Sequence, residues 1–174
     1  MFLRVWRFIT LIFATLMLTL TSAHILELPQ KLQYDAQMYS AVNTTLYRYF
    51  AIIGSFYTVG SIVTAAVLAF LVRKRGQTFK LTVTGAICLL LAFITWLIFV
   101  APVNSDVARA LISSPKSLPA LWMQLRNRWE YGHAIGFVIT FIGVSLLLIS
   151  ILVETPTNTV QTVAERSDWQ RRAA

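Results

Sequence analysis

Charged residues are scarce in this sequence: 13% of the 174 residues are Asp, Glu, Lys or Arg, whereas 57% are hydrophobic. Soluble domains carry about 25% charged residues, so the composition excludes an ordinary soluble domain. Cysteine occurs once, as Cys88, which excludes a disulfide framework within the chain and any metal site or redox pair built from several thiolates. The seven glycines are scattered and form no phosphate-binding loop or nucleophile elbow.

The sequence contains several long apolar runs. Three runs are long enough to span a bilayer, because about 20 apolar residues cross its hydrocarbon core; they are Tyr49–Val72, Leu81–Ser105 and Ala134–Val153. A shorter run, Phe8–Ala23, follows two arginines. Within lipid the backbone polar groups must pair inside each segment, which makes the spans helical. We therefore predict an all-α integral membrane four-helix bundle over residues 1–155, with helices at about 5–27, 47–72, 80–103 and 131–153.

Basic residues predict the orientation of this bundle and its surroundings. The short connection Arg73–Lys80 carries four basic residues, and the positive-inside rule places such connections in the cytoplasm. We expect a multi-pass protein of the plasma (inner) membrane with both termini cytoplasmic, outer loops at Leu28–Arg48 and Asp106–Glu130, and a polar cytoplasmic tail at 156–174. The net charge is +8, and the basic residues flank the apolar runs. This position indicates contact with bilayer headgroups and not with nucleic acid.

The segment before the fourth run has a helical pattern of its own. Trp122, Arg126, Trp129 and His133 recur at intervals of four, three and four residues, and therefore share one face of a continuous helix. Tryptophan and arginine are typical of the headgroup level of a membrane. We predict an outer interfacial helix at Ser117–Glu130, continuous with the fourth spanning helix or bent into it.

The two histidines of the chain stand in mirrored pairs with glutamates. His24-x-x-Glu27 ends the first run, and Glu130-x-x-His133 begins the fourth. A spacing of three places each pair on one helical face, and the predicted topology places both pairs at the outer boundary of the membrane. Ionisable groups at that depth are costly and indicate function.

Two imidazoles and two carboxylates are suitable ligands for a transition metal. We predict that His24, Glu27, Glu130 and His133 hold one Zn, Fe or Cu ion. The alternative is that each histidine pairs with its own glutamate or with a neighbouring arginine, which would neutralise charge near lipid.

Further polar and aromatic residues are predicted at the same end. Asn104 offers both a donor and an acceptor, and Arg126 can pair with a glutamate or an anionic ligand. Trp122 and Trp129 supply flat apolar surfaces that suit an aromatic or quinone-type small molecule. We assign these four residues to substrate binding.

Pro102-x-Asn104, Trp122 and the segment "LRNRWEYGH" together resemble the anthrone-oxygenase-like family of small four-helix membrane proteins, over most of the chain. Fungal members of that family are associated with the oxygen-dependent conversion of anthrones, which are tricyclic phenolic ketones, to anthraquinones. The resemblance implies a membrane-embedded oxidoreductase that acts on a hydrophobic aromatic or quinone-type substrate. The positions that fall on the family pattern are Asn104, Trp122, Arg128, Trp129 and His133.

Two classes of function follow from these residues. As an enzyme, the protein would use His133 as general base, with Glu130 orienting it and Arg128 stabilising a phenolate or enolate. A metal at His24 and His133 would instead activate oxygen or polarise the substrate. As a non-enzyme, it would be an accessory or metal-binding subunit of a larger membrane complex. A cavity beside His24 and His133 that is large enough for a tricyclic ligand favours the first class, and a closed, dry, ion-paired bundle favours the second. Homo- or hetero-oligomers suit both.

Overall fold

The structure is a computed structural model that describes residues 1–113 and 118–155. Within these ranges the regular structure is entirely helical, which confirms the predicted all-α class. The elements are α1 (Phe2–Lys31), α2 (Ala36–Thr45), α3 (Arg48–Leu71), α4 (Gly76–Thr95), a π-helical turn (Trp96–Val100), α5 (Ala101–Ser113) and α6 (Leu118–Leu152). The predicted polar tail at 156–174 lies outside the described residues.

Four helical segments are long and apolar enough, by length and composition, to cross a membrane: Phe2–Lys31, Tyr49–Leu71, Gly76–Val107 and Trp122–Leu152. The chain is therefore a multi-pass helical membrane protein, as predicted. Each of α1 and α4 packs against both α3 and α6, so the spanning helices form a closed ring in the order α1, α3, α4, α6. Large apolar side chains on the outside of this ring are exposed, as lipid-facing positions require.

One end of the bundle holds the start of α1, the turn between α3 and α4, and the end of α6. There Glu154 forms ion pairs with Arg7 and, at 3.0 Å, with Arg75. Burial acts to raise the pKa of Glu154, but hydrogen bonds and the two arginine charges hold that pKa below its ordinary value of 4.5. These contacts place the predicted basic connection beside the beginning of the first span and the end of the fourth. That this end is cytoplasmic stays a prediction.

Glycines allow close approach between α6 and the third span, which includes α4 and the π-helical turn. A Cβ atom added at Gly85 would lie 3.0 Å from the carbonyl oxygen of Gly143, and one added at Gly132 would lie 2.8 Å from Cβ of Phe99. Small residues at such crossings let membrane helices pack by van der Waals contact, since lipid provides no hydrophobic driving force between helices. Two buried clusters result: an aliphatic one in mid-bundle that includes Ala14, Leu89 and Leu147, and an aromatic one at the opposite end from Glu154 that includes Tyr39 and Trp129.

The third span contains a π-helical turn, Trp96–Val100, immediately before Pro102. Because proline has no backbone N–H, the carbonyl of Ile98 lacks its ordinary donor four residues later. The guanidinium of Arg128 donates a hydrogen bond to this carbonyl at 2.8 Å. A side chain from α6 is therefore bound to the π turn, and such turns often border functional sites.

The predicted helix before the fourth span is continuous with that span, which is one of the two predicted forms. From Leu118 onwards it is the first part of α6, a single helix of 35 residues; Ser117 lies outside the described residues. Its Trp/Arg/His face points into the bundle, where Trp129 is 7% exposed and the Trp122 ring lies 4.5 Å from that of Tyr39. The tryptophans are covered by protein because α2 and the end of α1 pack over this face.

The predicted outer loops are also largely helical. Helix α1 continues through Pro29 to Lys31, and α2 begins after Asp35, whose carboxylate accepts a hydrogen bond from the Met38 N–H at 2.8 Å. Asp35 is therefore the N-cap of α2. This helix was not predicted from the sequence, because ten residues are too few to span a membrane. Helix α2 places Tyr39 and Asn43 over the end of the bundle.

Candidate functional site

His24 of α1 and His133 of α6 meet at the aromatic end of the bundle, with ring centroids 4.1 Å apart. This confirms the convergence of the two histidines predicted from the sequence. The Nδ1 atom of His133 lies 3.0 Å from the carbonyl oxygen of Trp129, and since a carbonyl only accepts, Nδ1 carries the proton and Nε2 keeps the lone pair in the neutral ring. His24 is 8% exposed, and its buried Nδ1 has no hydrogen-bond partner among the described residues.

Aromatic rings surround this histidine pair. Trp129 lies one turn before His133, with ring centroids 4.0 Å apart, and 5.1 Å from the His24 ring. Tyr47, which precedes α3, and Phe50, in its first turn, lie 5.2 and 6.0 Å from His24. Edge and tilted contacts of this kind hold the imidazoles in an apolar frame.

Two cavities meet at the histidine pair. The outer cavity, of about 260 Å³, is lined by His24, Asn43, Tyr47, Phe50, Ala51, Trp96, Val100, Asn104, Trp129 and His133. The inner cavity, of about 120 Å³, extends towards the middle of the bundle and reaches Met17, Gly136 and Thr140. Both cavities are bordered by the two histidines, Phe50, Ala51 and Trp96. A ligand in either one would therefore contact the imidazoles.

A buried ion cluster, the Lys31 cluster, lies beside the outer cavity and consists of Glu27, Lys31, Tyr39 and Glu130. The Lys31 side chain is 2% exposed, and its Nζ lies 3.1 Å from Glu27 Oε2 and 3.7 Å from Glu130 Oε1. The Tyr39 hydroxyl donates to Glu130 Oε1 at 2.9 Å. Burial, and then the Glu130 charge, raises the pKa of Tyr39 above its ordinary value of 10.0, so the phenol keeps its proton and remains a donor.

The ammonium of Lys31 also connects this cluster to the aromatic frame. Its Nζ lies 4.1 Å from the centroid of the Tyr47 ring and 4.8 Å from that of Trp129. Cation–π contacts in a desolvated position are worth about 2 kcal/mol. The Lys31 cluster thus supports the rings that frame the histidines.

This arrangement divides the four predicted metal ligands into two sets. The imidazoles of His24 and His133 converge, whereas the carboxylates of Glu27 and Glu130 contact the ammonium of Lys31. Across residues 1–113 and 118–155, no group of three or more His, Cys, Asp or Glu side chains is arranged to hold a metal ion. The two imidazoles are the nitrogen ligands that this site offers, and metal binding stays a prediction.

The other predicted site residues have distinct places. Asn104 lines the outer cavity, and its Oδ1 accepts a hydrogen bond from Trp129 Nε1 at 2.9 Å. Arg126 donates to the carbonyl of Leu32 at 2.8 Å and so binds the end of α1 to α6. Arg128 is bound to the π turn, and Trp122 packs on Tyr39. None of Trp122, Arg126 and Arg128 is among the residues lining the two cavities described here.

Sequence reasoning missed Lys31, although a signal for it was present. Lys31 follows Glu27 by four residues and His24 by seven, so all three share a face of α1. Tyr47 and Phe50 were missed as well, because they lie at the border of a predicted loop and carry no pattern that distinguishes them from membrane-interface aromatics.

No protein-family model, no curated protein and no solved structure matches this chain.

Proposed function

We propose that the protein binds a hydrophobic aromatic or quinone-type molecule beside His24 and His133 and acts on it as a membrane-embedded oxidoreductase. The observation that carries this proposal is the contact between the only two histidines of the chain at the junction of two cavities. Cavities with aromatic walls and a few polar groups are typical binding sites for small molecules. The membrane around the bundle would deliver an apolar ligand.

His133 is the proposed general base. The carbonyl of Trp129 orients its ring and holds the proton on Nδ1, so Nε2 is free to take a proton from an acidic C–H or O–H of the ligand. The second imidazole, His24, lies in ring contact with His133 and is the proposed partner of this base. General bases contribute about 10²–10⁴-fold to a rate.

For an anthrone, the resemblance suggests molecular oxygen as the co-reactant. Loss of a proton from the ring methylene gives an enolate that oxygen oxidises. The methylene loses both hydrogens, one oxygen atom becomes the new carbonyl oxygen, and the other leaves as water. A transition metal held by the two imidazoles would supply Lewis-acid polarisation of a ligand oxygen.

Glu130 and Arg128 have other contacts in this arrangement. Glu130 is bound by Tyr39 and Lys31, and Arg128 by the carbonyl of Ile98. These contacts support positioning roles for both residues, while the base and its partner are the two histidines.

The second candidate is a non-enzymatic accessory or metal-binding subunit of a larger membrane complex. The Lys31 cluster favours it, because Lys31 forms ion pairs with Glu27 and Glu130 within the bundle. The two cavities favour the enzyme. In either case we place the protein in the plasma (inner) membrane with both termini cytoplasmic, on the basis of the basic connection at Arg73–Lys80.

Oxygen consumption with anthrone as the probe distinguishes the two candidates. Purified protein in lipid nanodiscs should consume oxygen and form anthraquinone faster than empty nanodiscs. His133→Ala should lower the rate by about 10²-fold or more, because the base is lost. The control, Val138→Leu, alters a lipid-exposed residue of the same helix that lines neither cavity. Equal rates for wild type and His133→Ala would contradict the enzymatic proposal.

A further inference from the structure

We infer that the inner cavity is a subsite for a hydrocarbon tail, so that the ligand is an amphiphile with an aromatic ring at the histidines and an alkyl or prenyl chain directed into the bundle. This inference rests on the proposed function and names the class of substrate.

The chemistry of the inner wall favours a tail over a second polar group. Among the residues that the structure describes, no Asp, Glu, Lys or Arg side chain lines the cavity. Three of its hydroxyls already donate to carbonyls of their own helices: Thr21 to Leu18 at 3.0 Å, Ser55 to Ala51 at 2.7 Å, and Thr140 to Gly136 at 2.8 Å. With these protons engaged, the wall presents mainly carbon, and apolar cavities of this kind bind apolar guests.

The shape of the inner cavity depends on Gly136. This glycine is buried, yet a Cβ atom added to it would find no atom within 4 Å. The absent side chain therefore opens directly onto the cavity. The inner cavity has a volume of about 120 Å³. One water molecule requires a cavity of only roughly 10–15 Å³ by the same measure.

The outer cavity is more polar than the inner one, as the binding of an amphiphile requires. The outer cavity includes the amides of Asn43 and Asn104, whereas the inner one reaches Met17 and Leu20. Because both share the His24/His133 junction, one molecule can place its polar ring substituents in the outer cavity and its chain in the inner cavity. The chain would then lie at the depth of the spanning helices.

Two naphthoquinone probes test this inference: 2-methyl-1,4-naphthoquinone and the same ring with a 3-geranyl tail. Binding is measured by quenching of tryptophan fluorescence in nanodiscs and expressed per mole of probe in the bilayer, which removes the effect of partitioning. Gly136→Leu fills the inner cavity. Val138→Leu adds bulk to the lipid-exposed face of the same helix and is the matched control.

We expect Gly136→Leu to weaken binding of the tailed probe by about 10-fold or more, and to leave binding of the tail-less probe unchanged. Val138→Leu should change neither. Equal loss for both probes, or no loss for either, would overturn the tail subsite while leaving the ring site intact. If wild type binds neither probe, the proposed function and the tail subsite fail together.

Discussion

Lys31 provides the most demanding test of the physical account of this bundle. Its ammonium lies 3.7 Å from the Glu130 carboxylate, whose side chain is fully buried. At that distance the attraction is about 4 kcal/mol for an effective dielectric constant of 20. Lys31→Met preserves the apolar stem and removes the charge, so Glu130 keeps the Tyr39 hydroxyl as its remaining described hydrogen-bond donor.

We expect Lys31→Met to lower the free energy of unfolding by about 3–5 kcal/mol, because one partner of a buried ion pair is left without its counter-charge. Glu130→Gln should cost less, since Lys31 keeps its contact with Glu27 at 3.1 Å. The double variant should lose less than the sum of the two single losses, because no uncompensated Glu130 charge is left. Lys74→Met, at an exposed position, is the control and should stay within about 0.5 kcal/mol of wild type.

A double-mutant cycle measured by reversible unfolding in detergent micelles gives the coupling directly. Additive losses for Lys31→Met and Glu130→Gln would refute the reasoning, since they would show that the two side chains do not interact in the folded protein. A small loss for Lys31→Met alone would have the same consequence.

Three further predictions concern the rest of the bundle. Glu154→Gln should lower stability by about 1 kcal/mol near neutral pH; because the folded-state pKa of Glu154 is depressed, the difference from wild type should narrow as the pH falls below 4.5, measured by thermal unfolding across pH. Gly132→Ala should lower the free energy of unfolding by about 1–3 kcal/mol, because the new Cβ would meet the Cβ of Phe99. Gly136→Ala has open space around the new Cβ and should not lower it. An equal loss for both variants would contradict the packing. In a cysteine-free background, an impermeant thiol reagent applied to intact cells should label Gln33→Cys and not Lys74→Cys, and the reverse pattern would invert the orientation.

The spanning segments could be predicted because bilayer thickness imposes a length on apolar runs. Their ends could not, since they depend on protein contacts. Helix α1 extends to Lys31 because that residue finds buried partners, and Asp35 begins α2 within a stretch too short and too polar to be detected by hydropathy. The first part of α6 was predicted as an interfacial helix because its tryptophans suit headgroups, and α2, which covers them, was unknown.

The candidate site could be predicted in part for similar reasons. Helical phase and membrane depth brought His24 and His133 together, and both are consequences of spacing and topology. The partners of Glu27 and Glu130 could not be predicted, because they depend on whether a cationic side chain lies within contact distance of both carboxylates. Since a buried carboxylate must be paired, Glu27 and Glu130 contact the ammonium of Lys31, a cation that the predicted site did not include.

The two histidines allow one direct measurement of the central claim, which is that a ligand binds at their junction. Histidine labelled with ¹⁵N on the ring places a probe at these two residues alone. NMR spectra in nanodiscs should show His133 protonated on Nδ1, and addition of 2-methyl-1,4-naphthoquinone should shift ring nitrogens of both His24 and His133. Ring signals that remain unchanged at saturating probe would contradict the claim that this pair is the binding site.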